Sequence, residues 1–190
     1  MTGVTASHFA VGAASASNLN SGLILSGALT DGANTVGIIK SGPGTLELRG
    51  VNDFGGAGQT IDILGGVLAV SSDAALGDSA NTVTLNADGS VGVGFRAIET
   101  FSTARTFILG QTNNSFEVTA GKVLTLTGAF DQGGTFNRIL NKNDNGVLNL
   151  AAANVTWAGT LNINSCAVRL SKSLAAGTSV INVAPNSAAV

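Results

Sequence analysis

The 190 residues carry 9 Lys+Arg against 11 Asp+Glu, a formal charge of -2, and only 11% of them are charged, where about 25% is usual. That balance offers no basic footprint to nucleic acid and no acidic tail; Gly, Asn, Ser and Thr, which fill 80 positions, solvate the chain with neutral groups instead. With 44% apolar residues the chain is too hydrophobic for a disordered linker, and no run approaches the ~20 apolar residues of a membrane span.

The first segment, 1–20, is rich in Ala, Ser, Gly and Asn and lacks the basic and apolar regions of a secretory signal, so it reads as an N-terminal cap or linker. From residue 21 onward short period-two alternations recur in chain order: Leu23-Ile24-Leu25, Thr45-Leu46-Glu47-Leu48, Ile61-Asp62-Ile63, Val67-Leu68-Ala69-Val70 and Val83-Thr84-Leu85 in the first half. Val91-Gly92-Val93, Phe107-Ile108-Leu109, Phe116-Glu117-Val118, Leu124-Thr125-Leu126, Val147-Leu148-Asn149-Leu150, Leu161-Asn162-Ile163, Val168-Arg169-Leu170 and Val180-Ile181-Asn182-Val183 follow. Gly, Asn, Asp and Ser clusters separate them, which favour tight turns and positive φ. Few stretches have helical spacing, so helices should be scarce.

Strands this short need neighbours, which makes internal repetition the next question. Ile61–Ser71 matches Leu161–Ser171 in hydrophobic pattern without a gap, at an offset of 100 residues. Gly44-Thr45-Leu46-Glu47-Leu48 corresponds to Gly146-Val147-Leu148-Asn149-Leu150, and Leu23–Leu29 to Leu124–Phe130, at offsets of 102 and 101. Units spaced this closely leave no room for crossover helices between parallel strands. The expected fold is therefore all-β: a parallel β-helix (β-solenoid) over 21–190, with two related units at about 21–85 and 122–185 wound as turns of one ladder. A β-sandwich is the alternative, since it also shows short alternating strands. In the solenoid Leu46, Leu48, Ile61, Ile63, Leu68, Val70, Val83 and Leu85 point inward, while Glu47, Asp62, Ala69 and Thr84 face outward or into corners.

The segment Lys40-Ser41-Gly42-Pro43-Gly44-Thr45-Leu46-Glu47-Leu48-Arg49-Gly50-Val51-Asn52-Asp53-Phe54-Gly55-Gly56, continuing through Thr60-Ile61-Asp62-Ile63 to Gly65-Gly66-Val67-Leu68, resembles the autotransporter-associated β-strand repeat of passenger segments. Val118–Gly128 is similar to the half that precedes it. Phe54 stands where that family usually has Tyr, Trp157 lies near the same place in the second copy, and Gly50 has become Ala152. The resemblance implies large exported bacterial proteins acting as stalks, adhesins or surface fibres, and says little about activity.

Candidate chemistry is sparse. His8 is the single histidine, in a poorly patterned stretch, and Cys166 aligns with Gly66 and reads as a small core or turn residue without the basic neighbour a nucleophile needs. No CxxC, HExxH or Cys/His cluster supplies a zinc ligand set. Asp31, Asp53, Asp62, Asp73, Asp78, Asp88, Asp131 and Asp144 are dispersed, and read as turn formers rather than a hydrolytic pair. Gly55–Thr60 lacks the Asp of the calcium nonapeptide, Gly92–Ala97 has no βαβ context, and Gly121-Lys122-Val123 is not a P-loop. Phe95, Phe101, Phe107 and Phe116 are expected to stack in the core. Asn113-Asn114-Ser115 and Asn154-Val155-Thr156 are glycan-acceptor sequons; Asn52 and Asn154 suit turns or stacked amides.

The sequence thus predicts a non-enzymatic structural or adhesive module of a bacterial surface or secreted protein, a fragment of a longer chain, without cofactor, metal site or membrane span. Its expected partners are other copies of itself, stacked end to end, or a cell-surface or glycan ligand, and not nucleic acid. A glycan-binding or glycan-cleaving β-helix, tailspike-like or lyase-like, is the competing expectation, and would need carboxylates such as Asp53, Asp62 and Asp73 gathered in one groove.

Overall fold

A computed structural model describes residues 6–12, 22–32, 34–86, 92–110, 113–131, 138–154 and 156–184. The period-two segments form β1 (Ala6–Ala10), β2 (Gly22–Leu25), β3 (Gly37–Ser41), β4 (Thr45–Leu48), β5 (Thr60–Ile63), β6 (Gly66–Val70) and β7 (Thr82–Leu85). Next come β8 (Val93–Ala97), β9 (Phe101–Thr103), β10 (Phe107–Leu109), β11 (Asn114–Val118), β12 (Val123–Leu126) and β13 (Phe130–Asp131). The series closes with β14 (Ile139–Asn143), β15 (Val147–Leu150), β16 (Thr160–Ile163), β17 (Ala167–Leu170) and β18 (Val180–Val183). The one helical element among the described residues is a 3-10 turn at Asp73–Leu76.

Every strand pair is parallel, which excludes the sandwich and makes the fold a β-solenoid of about six turns. Three sheets form its sides, in the orders β1-β3-β5-β7-β10-β13, β18-β16-β14-β11-β8-β6-β4-β2 and β17-β15-β12-β9. Within 1–20, β1 is the outermost strand of the first sheet, in register with β3. From β1 to β7 the chain alternates between the first and second sheets, and the third side is closed by loops: Asp53 N–H donates to Leu29 O and Asn52 N–H to Ala74 O. From β8 to β13 it visits all three sheets in turn. From β14 onward it alternates between the second and third, and loops close the first side, with Asn154 N–H donating to Leu174 O.

The two related units do not lie above one another. Lys40 is in the first sheet and its counterpart Lys142 in the second; Leu46 and Leu48 are in the second, Leu148 and Leu150 in the third; Ile61 is in the first, Leu161 in the second. The residues above Ile61 are Val83, then Phe107, then Phe130, so a coil here takes 22–24 residues. An offset of 100–102 residues is therefore four coils plus one side, and the second copy is the first rotated by one face. The expectation of a single parallel ladder holds, but vertical alignment of like segments does not.

All eight expected inward residues are buried, as are Phe95, Phe107 and Phe116, whose rings meet edge to face with centroids 5.0–6.0 Å apart where all three sheets are present. Phe101 is only partly buried against this core. Ala69 differs from expectation: it lies in the outward column between Glu47 and Arg96, and their longer side chains leave it 1% exposed.

Two glycines show why the repeat carries them. A Cβ on Gly44 would lie 2.1 Å from Gly12 O, and one on Gly146 2.4 Å from Thr119 O, so neighbouring coils touch backbone to backbone here. Gly66 has φ 66° and Cys166, its counterpart, φ 55°, so the cysteine is a turn residue in the left-handed region. Cys166→Gly should raise stability by about 0.5–1 kcal/mol in urea denaturation, because glycine removes the Cβ strain at positive φ; a loss of stability would contradict this account.

Candidate functional site

The polar groups that matter divide into those tying coils together and those on the outer surface. Lys40 occupies an inward position between Phe9 below and Ile63 above, is 0% exposed, and donates through Nζ to Ser41 O, Gly42 O and Gly65 O at 2.9, 2.8 and 2.8 Å. Lys142 repeats this between Phe116 and Ile163, donating to Asn143 O and, at 2.8 Å, Asp144 O. Gly42 and Asp144 both have positive φ, which is how each turn tips its carbonyls toward the ammonium. Burial pushes Lys40 down to about 8 and moves Lys142 in the same direction.

The sign of the pH effect follows. Lys40 in the folded chain releases its proton below the unfolded value of about 10.4, so the unfolded chain binds more protons between these pH values and stability from this group rises with pH. The urea midpoint should climb from pH 8 toward pH 10; a midpoint that falls across this window would contradict the burial of the amine.

Asn52 and Asn154 are equivalent bridges. Asn52 Oδ1 accepts from Leu29 N–H (2.8 Å) in the coil below, and its Nδ2 donates to Ala75 O (2.6 Å) in the coil above. Asn154 accepts from Phe130 N–H (2.8 Å) and donates to Ala175 O. Both are almost fully buried, so the acceptor side chain of Asn154 is inside, whereas Asn113 is exposed. Asn52→Ala should cost about 1–3 kcal/mol, since a buried carbonyl and a part-buried N–H lose their partners; thermal unfolding of the variant within a degree of the parent would refute the bridge.

Arg105, 4% exposed, grips the turn at Asp73–Leu76: Nε donates to Asp73 Oδ1 (2.9 Å), Nη2 to Gly77 O (2.7 Å) and Nη1 to Asp78 O. Asp73 is thus an arginine partner, while Asp78 behaves as the expected turn former, accepting from Ala80 N–H. Asp31 accepts from Val36 and Gly55 N–H, and these bonds hold its carboxyl below the ordinary range. Asp62 accepts from the Thr60 hydroxyl, Asp53 and Asp131 are exposed, and Asp88 lies outside the described residues. Asp53, Asp62 and Asp73 belong to separate local contacts, and no group of three or more His, Cys, Asp or Glu able to hold a metal occurs among the described residues. His8 is exposed and bonds Ser41 Oγ at 2.7 Å; Cys166 is free and half-buried. Gly92–Ala97 leads into and forms β8, with no helix after it. No helix among the described residues is long and apolar enough to cross a membrane.

The outer face of the second sheet carries stacked side-chain amides, one of the two arrangements expected of the repeated asparagines, on residues other than Asn52 and Asn154. Asn141, Asn162 and Asn182 are in register on β14, β16 and β18, with Asn182 Nδ2 donating to Asn162 Oδ1 (2.9 Å) and Asn162 Nδ2 to Asn141 Oδ1 (3.0 Å). Asn164 donates to Asn143 Oδ1 beside it (3.0 Å). The alternation Asn-x-Asn in 141–143 and 162–164 was the available signal. Toward β8 the ladder gives way to a polar depression floored by Gly94 and edged by Asn113, Ser115, Glu117, Asn141 and Asn143. Arg96 pairs there with Glu117 and, at 3.4 Å, with Asp144.

These features define a parallel β-solenoid with buried cross-coil ties and a neutral amide-lined exterior. No family model matches the chain, and no solved structure matches it. Over 53 residues the chain is 47% identical to the protein described as "Adhesin BmaC autotransporter" from Brucella suis biovar 1 (strain 1330). That stretch is 28% of this chain and 2% of that protein, so the chain spans only a small part of the relative's length. The partial match agrees with the resemblance to the autotransporter-associated repeat.

Proposed function

We propose that this chain is a rigid segment of a bacterial surface or secreted adhesive protein, holding binding surfaces away from the cell and presenting its outer faces for contact. The observation that carries the reading is the run of about six coils in which the described strands of each coil pair with those above and below, and Lys40, Asn52, Arg105 and Asn154 bind neighbouring coils internally. Such a stack resists bending because each coil's backbone is held above and below. The partial match to an autotransporter adhesin supports a surface location.

The test is adhesion. Beads coated with the purified chain should be retained on cultured epithelial cells or immobilised matrix proteins above uncoated beads, and small-angle scattering should give a rigid folded particle about 35 Å along its axis, the span of eight stacked strands at about 4.8 Å. Absence of retention together with a flexible particle would overturn the reading. No catalysis is part of it, and release of reducing ends from a polysaccharide panel would remove that part. The depression around Gly94 and Glu117 supports a glycan-binding form of the same role, which a glycan array checks directly.

A further inference from the structure

The outward positions on the middle strands of the second sheet make two adjacent columns across β6, β8, β11 and β14. One runs Val67, Gly94, Ser115, Asn141, and the other Ala69, Arg96, Glu117, Asn143. Gly94 has only hydrogen where its column neighbours carry side chains, and this sinks a polar depression of about 260 Å³ into the face. A Cβ there would lie 2.8 Å from Ser115 Oγ, 3.2 Å from Glu117 Oε1 and 3.3 Å from Val67 Cγ2, so these atoms lean over the glycine. A second depression, of about 390 Å³, begins at Arg96 and reaches Asp144 and Asn145. Ligand sites commonly occupy about 300–1,000 Å³.

The polar groups here are fixed in place and only partly used. Glu117, 13% exposed, accepts from Arg96 Nε (2.8 Å) through Oε2, while its Oε1 meets the Ser115 hydroxyl at 3.3 Å and retains an acceptor site. Asn143 stands beside Glu117 in register; its Oδ1 accepts from Asn164, and its Nδ2 donates to no group among the described residues. An acceptor and a donor are thus held on adjacent strands, about 4.8 Å apart, the pairing that two neighbouring hydroxyls of a sugar ring can satisfy. Arg96 is paired with both Glu117 and Asp144, so the surface carries one positive charge against two negative ones and repels an anion. An extended peptide finds no partner for its backbone, because β8 lies between β6 and β11, and β11 between β8 and β14, without a free edge.

Resting on the adhesive-surface reading above, we propose that this depression binds an uncharged oligosaccharide. Glu117 Oε1 accepts from one ring hydroxyl, Asn143 Nδ2 donates to the next, and Gly94 is the floor on which the ring lies. Arg96 and Ser115 are positioning residues that orient the carboxylate. Sialylated and sulfated chains are disfavoured by the surplus negative charge.

Saturation-transfer NMR and calorimetry test this with N-acetyllactosamine, N-acetylglucosamine oligomers and glucose oligomers, set against sialylated and sulfated N-acetyllactosamine. At least one neutral oligosaccharide should bind, and the charged forms should bind more weakly. Gly94→Val fills the floor with a side chain suited to a strand, so the variant should keep the wild-type circular dichroism spectrum and lose binding. Asn143→Ala should weaken binding about tenfold. Asn149→Ala, on the third sheet, should bind as the wild type does. Failure of every neutral oligosaccharide to bind the wild type, tighter binding of the charged forms, or full binding by folded Gly94→Val would overturn the proposal. If Gly94→Val does not fold, unchanged affinity in Asn143→Ala overturns it instead. Beads that adhere to cells while no oligosaccharide binds would leave the adhesive reading standing and remove only this site.

Discussion

Replacing Lys40 with methionine should lower the free energy of unfolding by about 2–4 kcal/mol, because one buried and two part-buried carbonyls lose their donor. Methionine matches the length and apolar stem of lysine, so the space between Phe9 and Ile63 stays filled, and what is lost is the ammonium that binds Ser41, Gly42 and Gly65. One of these, Gly65 O, belongs to the next coil, so the variant also loosens a cross-coil tie. Lys122, whose ion pair with Glu99 is solvent-exposed, is the control: Lys122→Met should change stability by less than about 1 kcal/mol, as surface pairs do. Urea titrations of the two variants decide the matter. Equal small losses would mean that the buried lysine is held by its stem alone.

The second large effect is expected at Trp157. This indole is fully buried on the loop that closes the first side in the C-terminal coils, and meets Phe130 edge to face with centroids 4.8 Å apart. Trp157→Ala should cost about 3–5 kcal/mol through lost burial and the cavity left behind. Trp157→Phe should behave differently. Its Nε1 has no hydrogen-bond partner, and Phe54 fills the corresponding place in the first unit, where it is 3% exposed. The phenylalanine variant therefore loses packing volume but also removes a buried donor without an acceptor, and the two effects oppose each other. Calorimetry should place it much nearer the parent than the alanine variant; similar losses in both would show that the indole is required as a whole.

Both predictions concern residues whose types were visible in the sequence while their roles were not. Lys40 and Asn52 belong to the repeat, but a lysine between aliphatic strands reads as a surface residue until the carbonyls of the turn and of the next coil are seen around it. Lys142 is buried at the equivalent inward position and binds the carbonyls of its own turn, in a stretch where Gly42 and Pro43 have become Asp144 and Asn145; the shared positive φ at Gly42 and Asp144 shows that this local part of the cradle is retained. The amide ladder depends on register between strands some twenty residues apart, and register follows from loop lengths summed around a coil. Asn141, Asn162 and Asn182 could be listed from the sequence, but not stacked.

What the amino-acid order determined by itself was local and cumulative. Period-two alternation fixed which residues of each strand face inward, glycine and asparagine clusters fixed where the chain turns, and strands too close together for crossover helices left stacked coils as the economical arrangement. The tertiary structure alone decided which side of the coil each strand joins. A repeat of 100–102 residues on a coil of 22–24 overshoots four turns by one side, so identical patterns come to rest on different sheets, and the core is continuous because every face accepts the same alternation of buried aliphatic and solvated polar side chains.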